Sequence, residues 1–194
     1  ISMPSSSLGD IGFTLRYIDI SYNNIDHLDS TMFQETHFIT NLNLCHNKLT
    51  ILADNAFSAL GNLNQLRLCH NPIRANLKEL FHYIPKLRKL DLSNVGMKSA
   101  PSFPLPYLTE LNLSSNSLHN LSESLFDGLT SLRTIILSKN RFTSLPANVW
   151  PHMPLLKYLD ISMNPIKMLT KESFYGLNRL ESLILTGLMF LERF

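Results

Sequence analysis

The chain has 194 residues, of which 44% are apolar and 16% charged, with a formal net charge of +2. That is long and apolar enough for one sizeable ordered core, which excludes a disordered segment. A charge this small, with no basic run, excludes a nucleic-acid stripe and a polybasic membrane anchor. No apolar stretch reaches the roughly 18 uninterrupted residues of a membrane-spanning helix, so membrane contact is expected only through an anchor outside this segment.

The first residues (Ile1, Ser2, Met3, Pro4) lack the basic and apolar blocks of a signal peptide. From Leu15 onward one pattern takes over, L-x-x-L-x-L-x-x-N-x-L. It begins at Leu15, Ile39, Leu63, Leu87, Leu108, Leu132, Leu156 and Leu180, with spacings of 24, 24, 24, 21, 24, 24 and 24. Around L-x-L the alternation is two, as in a strand with one buried face. An aromatic stands six residues before the first leucine at Phe33, Phe57, Phe81, Phe126, Trp150 and Phe174. The residue midway is usually apolar (Leu60, Ile84, Leu129), with Thr36 the polar exception. Steps of three predict a turn of helix or 3₁₀.

No such coil can bury its own leucines, so neighbours must stack. The expected fold is an α/β solenoid. Its concave face is a parallel β-sheet, and short helical or 3₁₀ turns and extended segments lie on the convex side. Residues 1–194 read as one solenoid segment of about eight coils, and the apolar slots left bare at both ends suggest a piece of a longer stack.

Where each strand turns away, an inward amide can donate and accept at once. Asn23, Asn47, Asn71, Asn116, Asn140 and Asn164 are expected to form a structural ladder between coils. Val95 and Leu188 occupy that slot without an amide, which predicts altered loops there.

Segments such as LNLCHNKL (42–49), LNLSSNSL (111–118) and LDISMNPI (159–166) resemble typical leucine-rich repeats of 24 residues. Within that superfamily the plain coils are similar to those of chaoptin-like adhesion proteins and Toll-type receptor ectodomains. The resemblance implies an extracellular or cell-surface arc or horseshoe that binds proteins.

Residues between and beside the strand leucines are expected on the concave face. The candidate partner-binding set is Arg16, Tyr17, Tyr22, Arg67, His70, Arg88, Lys89, Arg133, Lys139 and Tyr158, since Tyr and Arg supply interface anchors. Two sequons, Asn112-Leu113-Ser114 and Asn120-Leu121-Ser122, are candidate glycosylation sites, the first between two core leucines on that same face.

Cys45 and Cys69 fill one slot of adjacent coils, where the other coils have serine or threonine. Parallel neighbours about 4.8 Å apart are within disulfide reach. Side chains running parallel would strain a bridge, however, so two free thiols are the preferred reading. Zinc held with His46 and His70 has suitable ligand types, and the aligned histidines could respond to acid. Both are weaker alternatives. The stretch from Met97 to Pro106 holds three prolines and is three residues short, so its outer side should be extended.

There is no Gly-rich phosphate loop, no H-E-x-x-H and no nucleophile elbow, so no catalytic, cofactor or metal residue is assigned. The expected function is a non-enzymatic protein-recognition or cell-adhesion module with a protein partner, homophilic pairing included. The alternative is a ligand-sensing ectodomain segment of a Toll-type innate-immunity or developmental receptor.

Overall fold

The computed structural model describes residues 11–121, 125–145 and 148–192. Eight short parallel strands, one per coil, form one sheet: β1 (Tyr17–Asp19), β3 (Asn41–Asn43), β5 (Gln65–Arg67), β6 (Lys89–Asp91), β7 (Glu110–Asn112), β8 (Thr134–Ile136), β9 (Tyr158–Asp160) and β10 (Ser182–Ile184). A second sheet pairs β2 (His27–Leu28) with β4 (Ile51–Leu52). The expected parallel solenoid is therefore the fold, with little helix. Strand order follows chain order, as stacking of sequential coils requires.

The register is unbroken. Ile18, Leu42, Leu66, Leu90, Leu111, Ile135, Leu159 and Leu183 lie side by side across the strands. The residues flanking them on each strand point outward. Leu44, Leu92 and Leu137, one inward slot further along, are fully buried. Full burial of such a side chain contributes about 1.5–3 kcal/mol, so the column of leucines dominates cohesion. At the two end coils cover is thinner: Ile20 in the first and Leu183 and Leu185 in the β10 coil are half-buried.

The outer wall follows from the steps of three. Leu60 N–H donates to the Phe57 carbonyl and Leu63 N–H to that of Leu60, both at 2.9 Å. The same pair of bonds recurs from Phe33, Phe81, Phe126, Trp150 and Phe174. Regular helix accompanies three of these turns: α1 (Leu77–Phe81) and a 3₁₀ segment at Lys171–Phe174 lead into the turns from Phe81 and Phe174, and a 3₁₀ segment at Trp150–His152 opens the turn from Trp150. Thr36 is buried without cost because its hydroxyl donates to the Phe33 carbonyl at 2.8 Å. The proline stretch from Met97 has no helix, and Phe103 is buried against Phe81, ring centroids 5.6 Å apart. Lys89 still pairs with Glu110 across that coil, so the sheet passes the short repeat without a break.

Each inward asparagine spans two coils. Asn71 Nδ2 donates to the Leu68 carbonyl of its own coil and the Leu44 carbonyl of the one before, both at 2.9 Å, while its Oδ1 accepts from Leu49 N–H at 3.0 Å. Asn47 and Asn164 make the same three contacts. Asn23, in the first coil, is exposed and bonds only its own turn. At Val95 the rung is missing, and the loop is altered. Ile73 N–H, which an asparagine there would have met, turns back to the Asn71 carbonyl at 2.9 Å. Val95 N–H and Met97 N–H share Asn116 Oδ1. Among the described residues every buried side-chain nitrogen and oxygen has a partner.

Candidate recognition surface

Two outward rows cover the strands. The row at the strand start holds Tyr17, Asn41, Gln65, Lys89, Glu110, Thr134, Tyr158 and Ser182. The row at the strand end holds Asp19, Asn43, Arg67, Asp91, Asn112, Ile136, Asp160 and Ile184. Most of the second row carries a side-chain oxygen for a physical reason. Asp19, Asn43, Asp91, Asn112 and Asp160 each accept the N–H of the residue two further on, tying down the first bend after the strand. Arg67, Ile136 and Ile184 are the exceptions: none has a side-chain oxygen to tie its own bend, and Arg67 faces Asp91 instead.

The candidate residues sort onto this frame. Tyr17 and Lys89 lie exposed on the strands and Tyr158 half-buried, with Arg88 and Arg133 beside them at the strand entries. Arg16 is drawn off the face, its guanidinium stacking on Phe38 at 4.7 Å. Cross-strand pairs link Arg67 to Asp91 at 3.7 Å and Lys89 to Glu110 at 2.7 Å. Both pairs are partly exposed, so they contribute little to stability but hold the charged heads in place. A shallow depression lies here, lined by Gln65, Arg67, Lys89, Asp91, Asn112 and Ile136 among others.

Tyr22, His70 and Lys139 are not on the strands. They stand three residues past a strand end, in a row at the rim where the chain leaves the sheet. In that row Tyr22, His46, His70, Asn94, Ser115, Lys139 and Met163 all have φ between 52° and 57°, and Gly187 has φ 70°. Left-handed backbone costs a non-glycine residue about 1–2 kcal/mol. The twist aims each N–H at the next coil: Tyr22 to the Cys45 carbonyl, His46 to Cys69, His70 to Ser93, and so on to Met163 and Thr186, at 2.9–3.0 Å. Sequence reasoning missed this conformation because six different side chains at seven positions hide it. Gly187 and Asn94 were its one legible sign.

The rim also carries a ring column. Tyr22 stacks on His46 at 4.2 Å, His46 on His70 at 4.1 Å, and the Asn94 amide approaches His70 Nδ1 at 2.7 Å. Directly before it in sequence, Cys45 and Cys69 form a disulfide. This corrects the expectation of two free thiols. The argument from parallel side chains applies to strands, whereas both cysteines sit in the bend past the strand, where Cα atoms approach to 4.6 Å. With both sulfurs in one bond, the zinc reading falls too. Asp91 lies beside them, but no thiolate is available to ligate.

Asp19 is the most strongly perturbed acid. Hydrogen bonds from the Ser21 hydroxyl, the Ser21 N–H and the Asn43 amide hold its carboxyl well below the usual range. The Tyr17 hydroxyl donates to the same carboxylate at 3.0 Å, and that bond pushes the Tyr17 pKa up. Asn112 and Asn120 are half-buried and exposed respectively; Ser122 of the second sequon lies outside the described residues. No helix among the described residues is long and apolar enough to cross a membrane.

Comparison with known proteins agrees with this architecture. The leucine-rich repeat profile matches residues 13–73, 39–95, 99–142 and 130–187. The chain is similar to chaoptin of Drosophila melanogaster, 31% identical over 142 residues that cover 72% of this chain and 9% of that protein. It is also similar to human leucine-rich repeats and immunoglobulin-like domains protein 1, 35% identical over 73% of this chain and 13% of that protein. It therefore spans only a small fraction of these relatives. Among solved structures, a leucine-rich repeat protein of Leptospira interrogans superposes with a TM-score of 0.83 at 28% identity, covering 100% of this chain and 51% of that one. A chain of the Drosophila Toll–Spatzle complex shares the fold, with a TM-score of 0.75 at 21% identity over 84% of this chain and 22% of that one. Repeat, amide rungs and profile coincide along almost the whole length, and the chain belongs to the leucine-rich repeat family.

Proposed function

We propose that this chain is a non-enzymatic protein-recognition and adhesion module of an extracellular or cell-surface protein, homophilic contact included. The observation that carries the reading is the outward face of the eight-stranded sheet. It runs the length of the stack and presents Tyr17 from the first coil, Arg67 from the third, and Arg88 and Lys89 from the fourth. Such a surface spreads its contacts over many coils, as a protein partner requires, and it does not converge side chains on one reacting atom. The Cys45–Cys69 disulfide supports an oxidising compartment. The similarity to chaoptin, and to the platelet glycoprotein Ib alpha chain at 46% identity over 54 residues, supports a surface setting.

The test is bead clustering. Beads coated with the purified chain should aggregate, and the triple variant Tyr17→Ala, Arg67→Ala, Lys89→Ala should disperse them while keeping the same denaturation midpoint. Clustering unaffected by the variant would reject the sheet face; no clustering at any density would reject homophily and leave a different protein as partner.

The second reading is a ligand-sensing ectodomain segment of a Toll-type receptor. The shared fold with a chain of the Toll–Spatzle complex favours it. Dimerisation of the chain on adding a soluble protein ligand, seen by sedimentation, would decide for this reading over adhesion.

A further inference from the structure

We propose that Asn112 carries an N-linked glycan whose first sugars lie in the depression of the sheet face, over Ile136, so that the chain's own carbohydrate divides the recognition surface. The inference rests on the extracellular setting proposed above.

The geometry at the strand-end row singles out this residue. Asn43, in the equivalent slot, is buried and spends both ends of its amide: Oδ1 on Cys45 N–H at 3.2 Å and Nδ2 on Asp19 at 2.9 Å. Asn112 is half-buried, and its Oδ1 accepts from Ser114 N–H at 3.0 Å. That bond fixes the amide plane, and Asn112 Nδ2 has no partner among the described residues. Nδ2 is the atom that glycosylation uses, and Ser114 completes the sequon.

The covalent step needs a lipid-linked diphosphate oligosaccharide as donor. The anomeric carbon of the first sugar forms a C–N bond to Asn112 Nδ2 as its C–O bond to the diphosphate breaks. The lipid diphosphate leaves with the bonding pair, and Nδ2 loses one proton. Transfer acts on the extended chain, so the fold decides where the sugar then lies.

Ile136 answers that question. It is the register partner of Asn112 on the adjacent strand and stands in a row otherwise occupied by Asp, Asn and Arg from β1 to β9. An outward isoleucine there is half-buried with nothing apolar on the solvent side to cover it. The C–H face of a pyranose ring is a matching cover, and the depression that Asn112 and Ile136 both line provides the room. A glycan so placed sits against Arg67 and Lys89, which line the same depression, and leaves Tyr17 open on one side and Tyr158 on the other. A protein partner must then engage one side of the arc at a time.

The experiment uses the chain secreted from an animal cell line. N-glycosidase treatment in heavy-oxygen water should convert Asn112 to labelled aspartate, and Ser114→Ala should abolish the label. Hydroxyl-radical footprinting should then show oxidation of Ile136 rising several-fold when the glycan is released, with Tyr22 unchanged. An unlabelled Asn112 in secreted wild-type chain overturns the site, whatever Asn120 carries. Equal oxidation of Ile136 before and after release overturns its placement over the sheet. Asn112→Gln, which cannot be glycosylated, gives the second reference for Ile136. Neither readout depends on bead clustering, so this inference and the adhesion reading fail separately.

Discussion

Asn140 binds its own coil and its neighbour with one amide group: Nδ2 donates to the Leu137 carbonyl and to the Leu113 carbonyl of the preceding coil, both at 3.0 Å. Its Oδ1 accepts from Leu118 N–H at 3.0 Å. Three buried backbone groups therefore depend on one side chain.

Asn140→Ala should lower stability by about 1–3 kcal/mol, since those groups lose their partner away from water. Urea denaturation followed by circular dichroism measures it. An unchanged midpoint would mean water replaces the rung.

Breaking the Cys45–Cys69 bridge should also destabilise. The bond closes a sequence separation of 24, and releasing a loop of that size costs about 3 kcal/mol in the chain-entropy account. The double variant Cys45→Ser, Cys69→Ser should match the reduced wild type in denaturation midpoint. Non-reducing peptide mapping should find the two cysteines linked, and equal midpoints with and without reductant would contradict the estimate.

Asp19 makes part of the stability acid-sensitive. Its carboxyl is depressed in the folded state, so the contribution is complete above the ordinary value of about 3.9 and is lost as pH falls from there toward the depressed one. Asp19→Asn keeps the acceptor for Ser21 and removes the titration. The midpoint of the variant should therefore fall less steeply below about pH 4, where carboxylates begin to protonate. Parallel curves for variant and wild type would show that Asp19 does not contribute.

The rim conformation predicts an unusual result at an exposed site. Lys139→Val places a β-branched residue at φ 55° and should cost about 1–2 kcal/mol. Lys139→Gly should stay within about 1 kcal/mol of wild type, because relief of the left-handed strain offsets the added chain entropy. Equal stability of the valine variant would argue that the turn had changed shape.

Periodicity alone determined the coil, the in-register leucines from Ile18 to Leu183, the aromatic outer wall and the slots of the inward asparagines. Each of these is a local demand repeated at a constant interval, and a side chain that must be buried against the next coil has to recur where that coil recurs. The tertiary structure decided what depends on distances between coils. The bend after the strand brings Cys45 to Cys69 and stacks Tyr22 on His46 and His70. It also puts seven non-glycine residues in the left-handed region, so that their N–H groups meet the following coil. Val95 shows the same division. The missing amide was legible, but the response of Ile73 and the doubled use of Asn116 followed only from where the freed N–H groups could reach. Adjacent coils touch across 21 or 24 residues of sequence, and no property of those residues taken singly says which atoms will lie 3 Å apart.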